Sequence, residues 1–144
     1  MKKALLLALL FALLLSSCAR SSDDPQNEIP RPVKLLAVFE DSEKDVGVEW
    51  YTFFPEKGEG ITINYDKMPT MISLPPEAVL KFRFEDAPAS LRINQRPYER
   101  KNKKTLNIKV PVKKGTYMYV FRGLWEKDGK RWMEIEYRLD VRIQ

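Results

Sequence analysis

Apolar and polar residues alternate with a period of two along most of the chain from residue 33 onward, and no ten-residue stretch carries a helical stripe. Such alternation places successive side chains on opposite faces of a β-strand. The final segment, residues 131–143, shows it most clearly, because apolar residues occupy every second position: Met133, Ile135, Tyr137, Leu139, Val141 and Ile143. The pattern therefore predicts an all-β domain.

Shorter alternating segments recur before this one and are separated by turn-forming residues. The longer segments cover residues 33–39, 46–54, 61–65, 80–84, 106–112, 116–125 and 131–143, with briefer ones at 71–74 and 91–93. In the second segment, alternating residues are expected to share one face: Val46, Val48, Trp50, Thr52 and Phe54. About seven to eight short strands are typical of an antiparallel β-sandwich, which we predict here.

The turn of the last hairpin decides which side chains of the preceding strand enter the core. Either Asp128 and Gly129 form a two-residue type I′ turn, or residues 127–129 form a three-residue loop. The two registers differ by one residue and reverse the faces of the strand. We choose the three-residue loop because it buries large aromatics: Tyr117, Tyr119 and Phe121. It leaves smaller side chains on the outer face: Met118, Val120 and Leu124.

The N-terminus has the pattern of a secretory signal peptide. Lys2 and Lys3 precede twelve residues made only of Ala, Leu and Phe, which are too few to span a bilayer comfortably. The small pair Ser16 and Ser17 then precedes Cys18, the only cysteine of the chain. The sequence Leu-Ser-Ser-Cys resembles the lipobox of bacterial lipoproteins. The alternative is an ordinary cleaved signal peptide with an incidental cysteine.

The lipobox resemblance implies an anchor and a domain organisation. The Cys18 thiol would carry diacylglycerol, the chain would be cut before Cys18, and the new amine would often be acylated. Two acyl chains hold a protein stably on a membrane. We therefore divide the chain into a signal peptide at residues 1–17, a lipidated cysteine with a polar, proline-bearing tether at 18–32, and a β-domain at 33–144. The predicted location is outside the cytoplasm, on the cell membrane, or on the outer membrane if the envelope has two.

A second resemblance concerns the fold. In the segment Gly-Thr-Tyr-Met-Tyr, Tyr117 stands two positions before the predicted core residue Tyr119, as in the tyrosine corner of immunoglobulin-like domains. Together with Trp125, a glycine turn and an alternating final strand, this pattern resembles small uncharacterised lipoproteins of Firmicutes with one immunoglobulin-like domain. The similarity covers roughly residues 75–144. It implies an immunoglobulin-like sandwich at the membrane, and it carries no catalytic residues.

The residues available for catalysis or metal binding are few. The chain has no histidine, which is the commonest general base and metal ligand. Glu134 and Glu136 lie on one strand face, whereas a glycosidase pair lies across a cleft. Acidic residues at 41, 43 and 45 imitate the start of a calcium loop, but Val46 stands where that loop needs glycine. We expect no enzyme activity, no cofactor and no metal site.

The whole chain has a net charge of +5, and its basic residues are concentrated in one segment. Residues 92–114 carry nine basic side chains, among them Lys101, Lys103 and Lys104, against the single acid Glu99. Export argues against a nucleic acid partner. The anions outside a membrane are lipid headgroups, anionic polymers and acidic protein surfaces. The alternative is a solvated segment that keeps the protein soluble and opposes edge pairing.

The predicted contact site combines aromatic and apolar residues. In the chosen register Leu124 lies opposite Trp132, and Met118 and Val120 extend the patch, to which the three lysines would add charge. The alternative is that the loop at residues 55–60 covers Trp132. The expected function is a non-catalytic binding or accessory module for an envelope protein or anionic polymer. Two alternatives remain, a carboxylate-dependent envelope hydrolase and a structural subunit of a membrane complex.

Overall fold

The structure, a computed structural model, describes residues 29–144. The predicted signal peptide, Cys18 and most of the predicted tether lie outside the described residues. The described region contains eleven strands and no helix. The strands are β1 (Leu35–Phe39), β2 (Ser42–Asp45), β3 (Gly47–Phe53), β4 (Ile61–Asn64), β5 (Thr70–Leu74), β6 (Val79–Phe84), β7 (Ser90–Ile93), β8 (Arg96–Pro97), β9 (Thr105–Lys109), β10 (Gly115–Lys127) and β11 (Lys130–Ile143).

These strands form two sheets packed as a sandwich, which confirms the predicted all-β sandwich architecture. The small sheet has four strands in the order β2-β1-β6-β9. The large sheet has the order β4-β3-β11-β10-β7-β8, and β5 pairs with β11 beyond the end of β3. Neighbouring strands run antiparallel except β5 and β11, which are parallel. The structure has eleven strands against the predicted seven to eight: the two brief predicted segments form β5 and β7, and the very short β2 and β8 are additional.

The core lies between the sheets and is built from the alternating apolar residues of both. Phe82 and Phe84 of β6 are fully buried, and Phe82 packs on Phe121 with 4.6 Å between ring centroids. The Phe84 ring meets Trp125 and Tyr137 of the large sheet edge-on, each at 5.8 Å. Such edge-to-face pairs are favourable beyond the area they bury. These aromatic contacts join the two layers.

The last hairpin confirms the predicted core face, but the predicted turn is wrong. Lys127 pairs with Lys130, so the loop has two residues, and Asp128 and Gly129 have φ values of 53° and 72°. These positive angles are typical of a type I′ turn. The register then shifts because Trp125 pairs with Met133, which leaves Trp132 as the extra residue of a β-bulge. The bulge, and not a longer loop, turns Tyr119 and Phe121 into the core, where both are buried.

A second bulge reverses the predicted face of Trp50. Glu136 pairs with Trp50 and Tyr137 pairs with Val48, so Glu49 is the extra residue. Beyond this bulge Tyr51 is buried and pairs with the buried Ile135. Trp50 therefore lies on the opposite side of the large sheet, away from the core. The expectation that Trp50 shares a face with Val48 is wrong.

The acidic segment at residues 40–45 is a tight hairpin and not a loop alone. Phe39 pairs with Ser42, and Glu40 at its turn has a φ of 52°. Strand β2 lies at the edge of the small sheet with all four of its residues exposed. Its Glu43 binds Arg83 of β6 at 2.9 Å. Charged residues on a short edge strand oppose pairing with another chain.

Candidate functional site

The face of the large sheet that points away from the small sheet is the best candidate for a binding surface. We call this the outer face. Cross-strand register places the following residues on it: Trp50 and Thr52 of β3, Met71 of β5, Arg92 of β7, Met118, Val120, Arg122 and Leu124 of β10, and Glu134, Glu136, Arg138 and Asp140 of β11. Directly paired residues point to the same side of a sheet, so the face follows from the pairing alone.

A charged and aromatic cluster lies at the centre of the outer face. Arg122 Nη2 and Nε donate to Glu136 Oε2 at 2.7 Å and 3.1 Å. Arg122 Nε also lies 4.0 Å from a carboxylate oxygen of Glu134. The guanidinium carbon of Arg122 stands 5.0 Å from the ring centroid of Trp50, which is a cation–π distance. The ring and the three charges therefore hold one another in fixed positions on adjacent strands.

A line of apolar side chains borders this cluster on β10. Met118 is 52% exposed, and Val120 and Leu124 are half-buried. The structure thus places these three predicted residues on one face, as the sequence indicated. Asp140 pairs with Met118 on one side and with Met71, which is 46% exposed, on the other. The face therefore combines flexible apolar side chains with fixed charges.

Trp132 does not complete this patch in the predicted way. Leu124 pairs with Glu134 and not with Trp132, because Trp132 is the extra residue of the bulge. The Trp132 side chain is half-buried and packs against the core. Its carbonyl accepts a hydrogen bond from Phe54 N at 2.9 Å, and Lys127 Nζ lies 5.5 Å from its ring centroid. Trp132 is therefore in large part a packing residue.

Sequence reasoning missed Trp50 as a surface residue. Only a weak signal in the sequence favours the observed face of Trp50. Tyr51 and Phe53 alternate in the same way as Ile61 and Ile63, which suggests that these four residues share the inner face and that Trp50 lies on the other. In the structure Tyr51 pairs with Ile63 and Phe53 with Ile61. A bulge at Glu49 is invisible in the composition of the strand.

The three predicted lysines lie away from the outer face cluster. Lys101, Lys103 and Lys104 belong to the connection between β8 and β9, where Lys101 and Lys104 are exposed and Lys103 is half-buried. Strand β8 is three strand spacings from β11, which corresponds to roughly 14 Å. The structure therefore separates the predicted site into two surfaces.

The carboxylates of the outer face are not arranged as a hydrolytic pair. Glu134 and Glu136 stand on one strand, and both face Arg122 on an open surface. Among residues 29–144, no group of three His, Cys, Asp or Glu side chains is placed to hold a metal ion. The same part of the chain contains no helix that is long and apolar enough to cross a membrane.

An open cleft of about 300 Å³ lies at the other edge of the sandwich. It is lined by the chain where it passes from β2 to β3 and by the segment before β5, including Asp45, Glu49, Tyr65 and Lys67. The Lys67 ammonium stands 5.5 Å from the Tyr65 ring centroid.

No protein-family model, curated protein or solved structure matches this chain.

Proposed function

We propose that the protein is a non-catalytic binding or accessory module, anchored by lipid outside the cytoplasm, that contacts a protein or anionic polymer of the cell envelope. The location rests on the Leu-Ser-Ser-Cys sequence that ends at Cys18. The observation that carries the binding role is the outer face of the large sheet. There Trp50, Arg122 and Glu136 form a pre-organised cluster beside the exposed Met118.

A surface of this kind is suited to recognition of a protein. Tryptophan, arginine and methionine are enriched in the contact surfaces of proteins. Arg122 and Glu136 are already paired with each other, so binding requires little further ordering of these two side chains. The carboxylates of Glu134 and Glu136 both face Arg122, which favours binding over hydrolysis.

We also propose an immunoglobulin-like relationship at the level of architecture. The hydroxyl of Tyr117 donates to the carbonyl of Lys113 at 2.8 Å, and Tyr119 is buried two residues later, which is the arrangement of a tyrosine corner. The strand order differs, because the last strand β11 lies between β3 and β10. In a constant-type domain the last strand lies at a sheet edge. The proposed relationship therefore concerns the two-sheet architecture and the tyrosine corner, and it does not extend to the strand order.

Photo-crosslinking in intact cells tests the binding face. A photoreactive residue replaces Met118 on the outer face or, as a matched control, Val79 on the exposed side of the small sheet. The two positions have similar exposure, 52% and 55%. We expect adducts from position 118 and none from position 79. The adduct should be discrete if the partner is a protein and a heterogeneous smear if it is a polymer. Equal adducts from both positions, or adducts from position 79 only, would refute the proposed face.

Mass spectrometry of the membrane fraction tests the anchor. We expect a lipid-modified N-terminus at Cys18, and Cys18→Ala should leave the precursor uncleaved or release the protein from the membrane. An unmodified mature N-terminus at another residue would contradict the lipidation.

A further inference from the structure

The chain enters the domain at the end of β6, next to a basic segment. Arg31 donates to Glu85 at 2.6 Å and 3.0 Å, and Glu85 N donates to the Lys34 carbonyl at 2.9 Å. The preceding residue, Phe84, donates from its backbone nitrogen to the Lys104 carbonyl at 2.8 Å. Because β1 and β9 flank β6, the entry point and Lys104 are two strand spacings apart, about 10 Å.

The connection at residues 98–104, which we call the basic loop, has a fixed backbone. Tyr98 N donates to the Leu91 carbonyl in the large sheet, and Lys104 is bound to the small sheet. Asn102 Oδ1 accepts hydrogen bonds from Lys104 N at 3.0 Å and Thr105 N at 3.2 Å. The basic loop is therefore held at both ends and turned by its own asparagine.

Three of the four cations of the basic loop are exposed, and Lys103 is half-buried. The loop carries Arg100, Lys101, Lys103 and Lys104 against Glu99. No ion pair between residues 29 and 144 uses any of these four cations. Glu85 is occupied by Arg31.

Asp86 lies just beyond β6 at this end of the sandwich, and Glu126 and Asp128 lie at the β10–β11 turn, where Lys127, Lys130 and Arg131 oppose them. Glu56 and Glu59 follow β3, which is four strand spacings from β8, or roughly 19 Å. This separation exceeds the Debye length of about 8 Å at physiological salt. Within the basic loop, four cations stand against the single acid Glu99, so the loop has a net charge of +3.

We propose that the basic loop rests on the phosphate-bearing headgroups of the membrane that holds the protein. This inference depends on the proposed lipid anchor at Cys18. Twelve residues separate Cys18 from Arg31. Even at full extension, a segment of this length reaches no more than about 45 Å. The anchor thus keeps the basic loop at high effective concentration beside the bilayer, where few charges suffice for contact.

The contact would orient the domain. The β10–β11 turn lies at the same end of the sandwich, since the Trp125 indole nitrogen donates to the Asp86 carbonyl just beyond β6. With this end on the bilayer, the strands of the large sheet rise from the membrane and the outer face points sideways. A partner reached through Trp50 and Met118 would then itself lie at the membrane surface.

Hydrogen–deuterium exchange on the full lipidated protein in vesicles tests the contact. One set of vesicles contains phosphatidylcholine alone, and the other contains phosphatidylcholine and phosphatidylglycerol at about 3:1. We expect amides of residues 98–104 to exchange about threefold or more slowly on the anionic vesicles at about 50 mM salt, and this protection to vanish at about 500 mM. Equal exchange on both vesicles would overturn the proposal.

Two charge-reversal variants separate the basic loop from net charge. Lys101→Glu with Lys104→Glu should abolish the protection. Lys113→Glu with Lys114→Glu, equally exposed but at the opposite end of the sandwich, should retain it. Equal loss in both variants would show an unspecific charge effect and overturn the proposal.

Vesicle flotation distinguishes failure of the anchor from failure of the contact. Protein that lacks lipid at Cys18 and does not float refutes the proposed anchor. Protein that floats but leaves residues 98–104 unprotected refutes the headgroup contact alone.

Discussion

The hydroxyl of Tyr137 donates a 2.6 Å hydrogen bond to the backbone carbonyl of Val33, which lies 104 residues earlier in the chain. Tyr137 is fully buried on the inner face of β11, with its ring edge-on to Phe84 and Trp125. Burial, with a smaller contribution from the charge of Glu85, raises the pKa of Tyr137 well above its ordinary value. The hydroxyl therefore stays protonated, and the central strand of the large sheet holds the start of the domain.

Tyr137→Phe should lower the free energy of unfolding by about 1–3 kcal/mol, because it leaves the buried Val33 carbonyl without its donor. Tyr117→Phe removes a comparable bond to the Lys113 carbonyl at an exposed site, where water can replace the hydroxyl. We expect a smaller loss there, about 0.5–1.5 kcal/mol. Urea unfolding of both variants measures the difference. A loss at Tyr137 no larger than that at Tyr117 would contradict the assigned role.

Glu85 should make the stability of the domain sensitive to acid. The side-chain hydrogen bond from Arg31, followed by the backbone hydrogen bond from Lys34, lowers the pKa of Glu85 from 4.5 to about 2. Because the folded-state pKa is the lower one, ionised Glu85 contributes stability above about pH 4.5, and this contribution is lost as the pH falls toward 2. Both side chains are largely exposed, so the effect is modest and weakens with salt.

Glu85→Gln should therefore flatten the dependence of the urea midpoint on pH between about 4.5 and 2. Arg31→Gln should flatten it in a similar way, because it removes the main cause of the shift. The double variant should add little to either single change. If the pH profiles of Glu85→Gln and the parent protein run parallel, Glu85 is not the group responsible.

The register of the last hairpin predicts opposite consequences for two adjacent residues. Tyr119 is 9% exposed on the inner face, and Met118 is 52% exposed on the outer face. Tyr119→Ala should cost about 3–5 kcal/mol by leaving a cavity. Met118→Ala should cost less than about 0.5 kcal/mol, as surface substitutions usually do. Equal losses in urea melts, or the reverse order, would contradict the bulged register.

Alternation alone predicted the inner face of β11, because a strand with one buried face must repeat every two residues. The inner face of β10 also required a choice of hairpin register, which rested on the size of its aromatic side chains. Alternation did not predict the bulges at Glu49 and Trp132, since a bulge adds one residue without changing the composition of the strand. Strand β2 was also missed. Its sequence, Ser-Glu-Lys-Asp, has no apolar residue, and its backbone hydrogen bonds to β1 require no buried side chain.

Alternation also explains which residues of the outer face could be predicted from the sequence. Met118, Val120 and Leu124 were placed on the outer face because they alternate with the aromatic core residues of β10. Trp50 could not be placed there because the bulge at Glu49 reverses its side of the strand. The parallel pairing of β5 with β11, which brings Met71 beside Asp140, leaves no local sequence signal either.

Trp50 and Trp132 should behave differently from each other when truncated. Trp132 packs against the core, so Trp132→Ala should lower the free energy of unfolding by about 1–3 kcal/mol. Trp50 lies on the outer face under the Arg122 guanidinium, so Trp50→Ala should cost about 1 kcal/mol or less in stability.

Binding should show the reverse order. Central tryptophans of contact surfaces often contribute 2 kcal/mol or more, so Trp50→Ala should reduce recovery of the crosslinked partner about tenfold or more. Trp132→Ala should reduce it only in proportion to the protein that has unfolded, and Val79→Ala on the small sheet should leave it unchanged. Thermal melts and partner recovery are measured on the same preparations. Full recovery with Trp50→Ala, together with loss of the partner in a stably folded Trp132→Ala protein, would move the contact site from the centre of the outer face to the bulge.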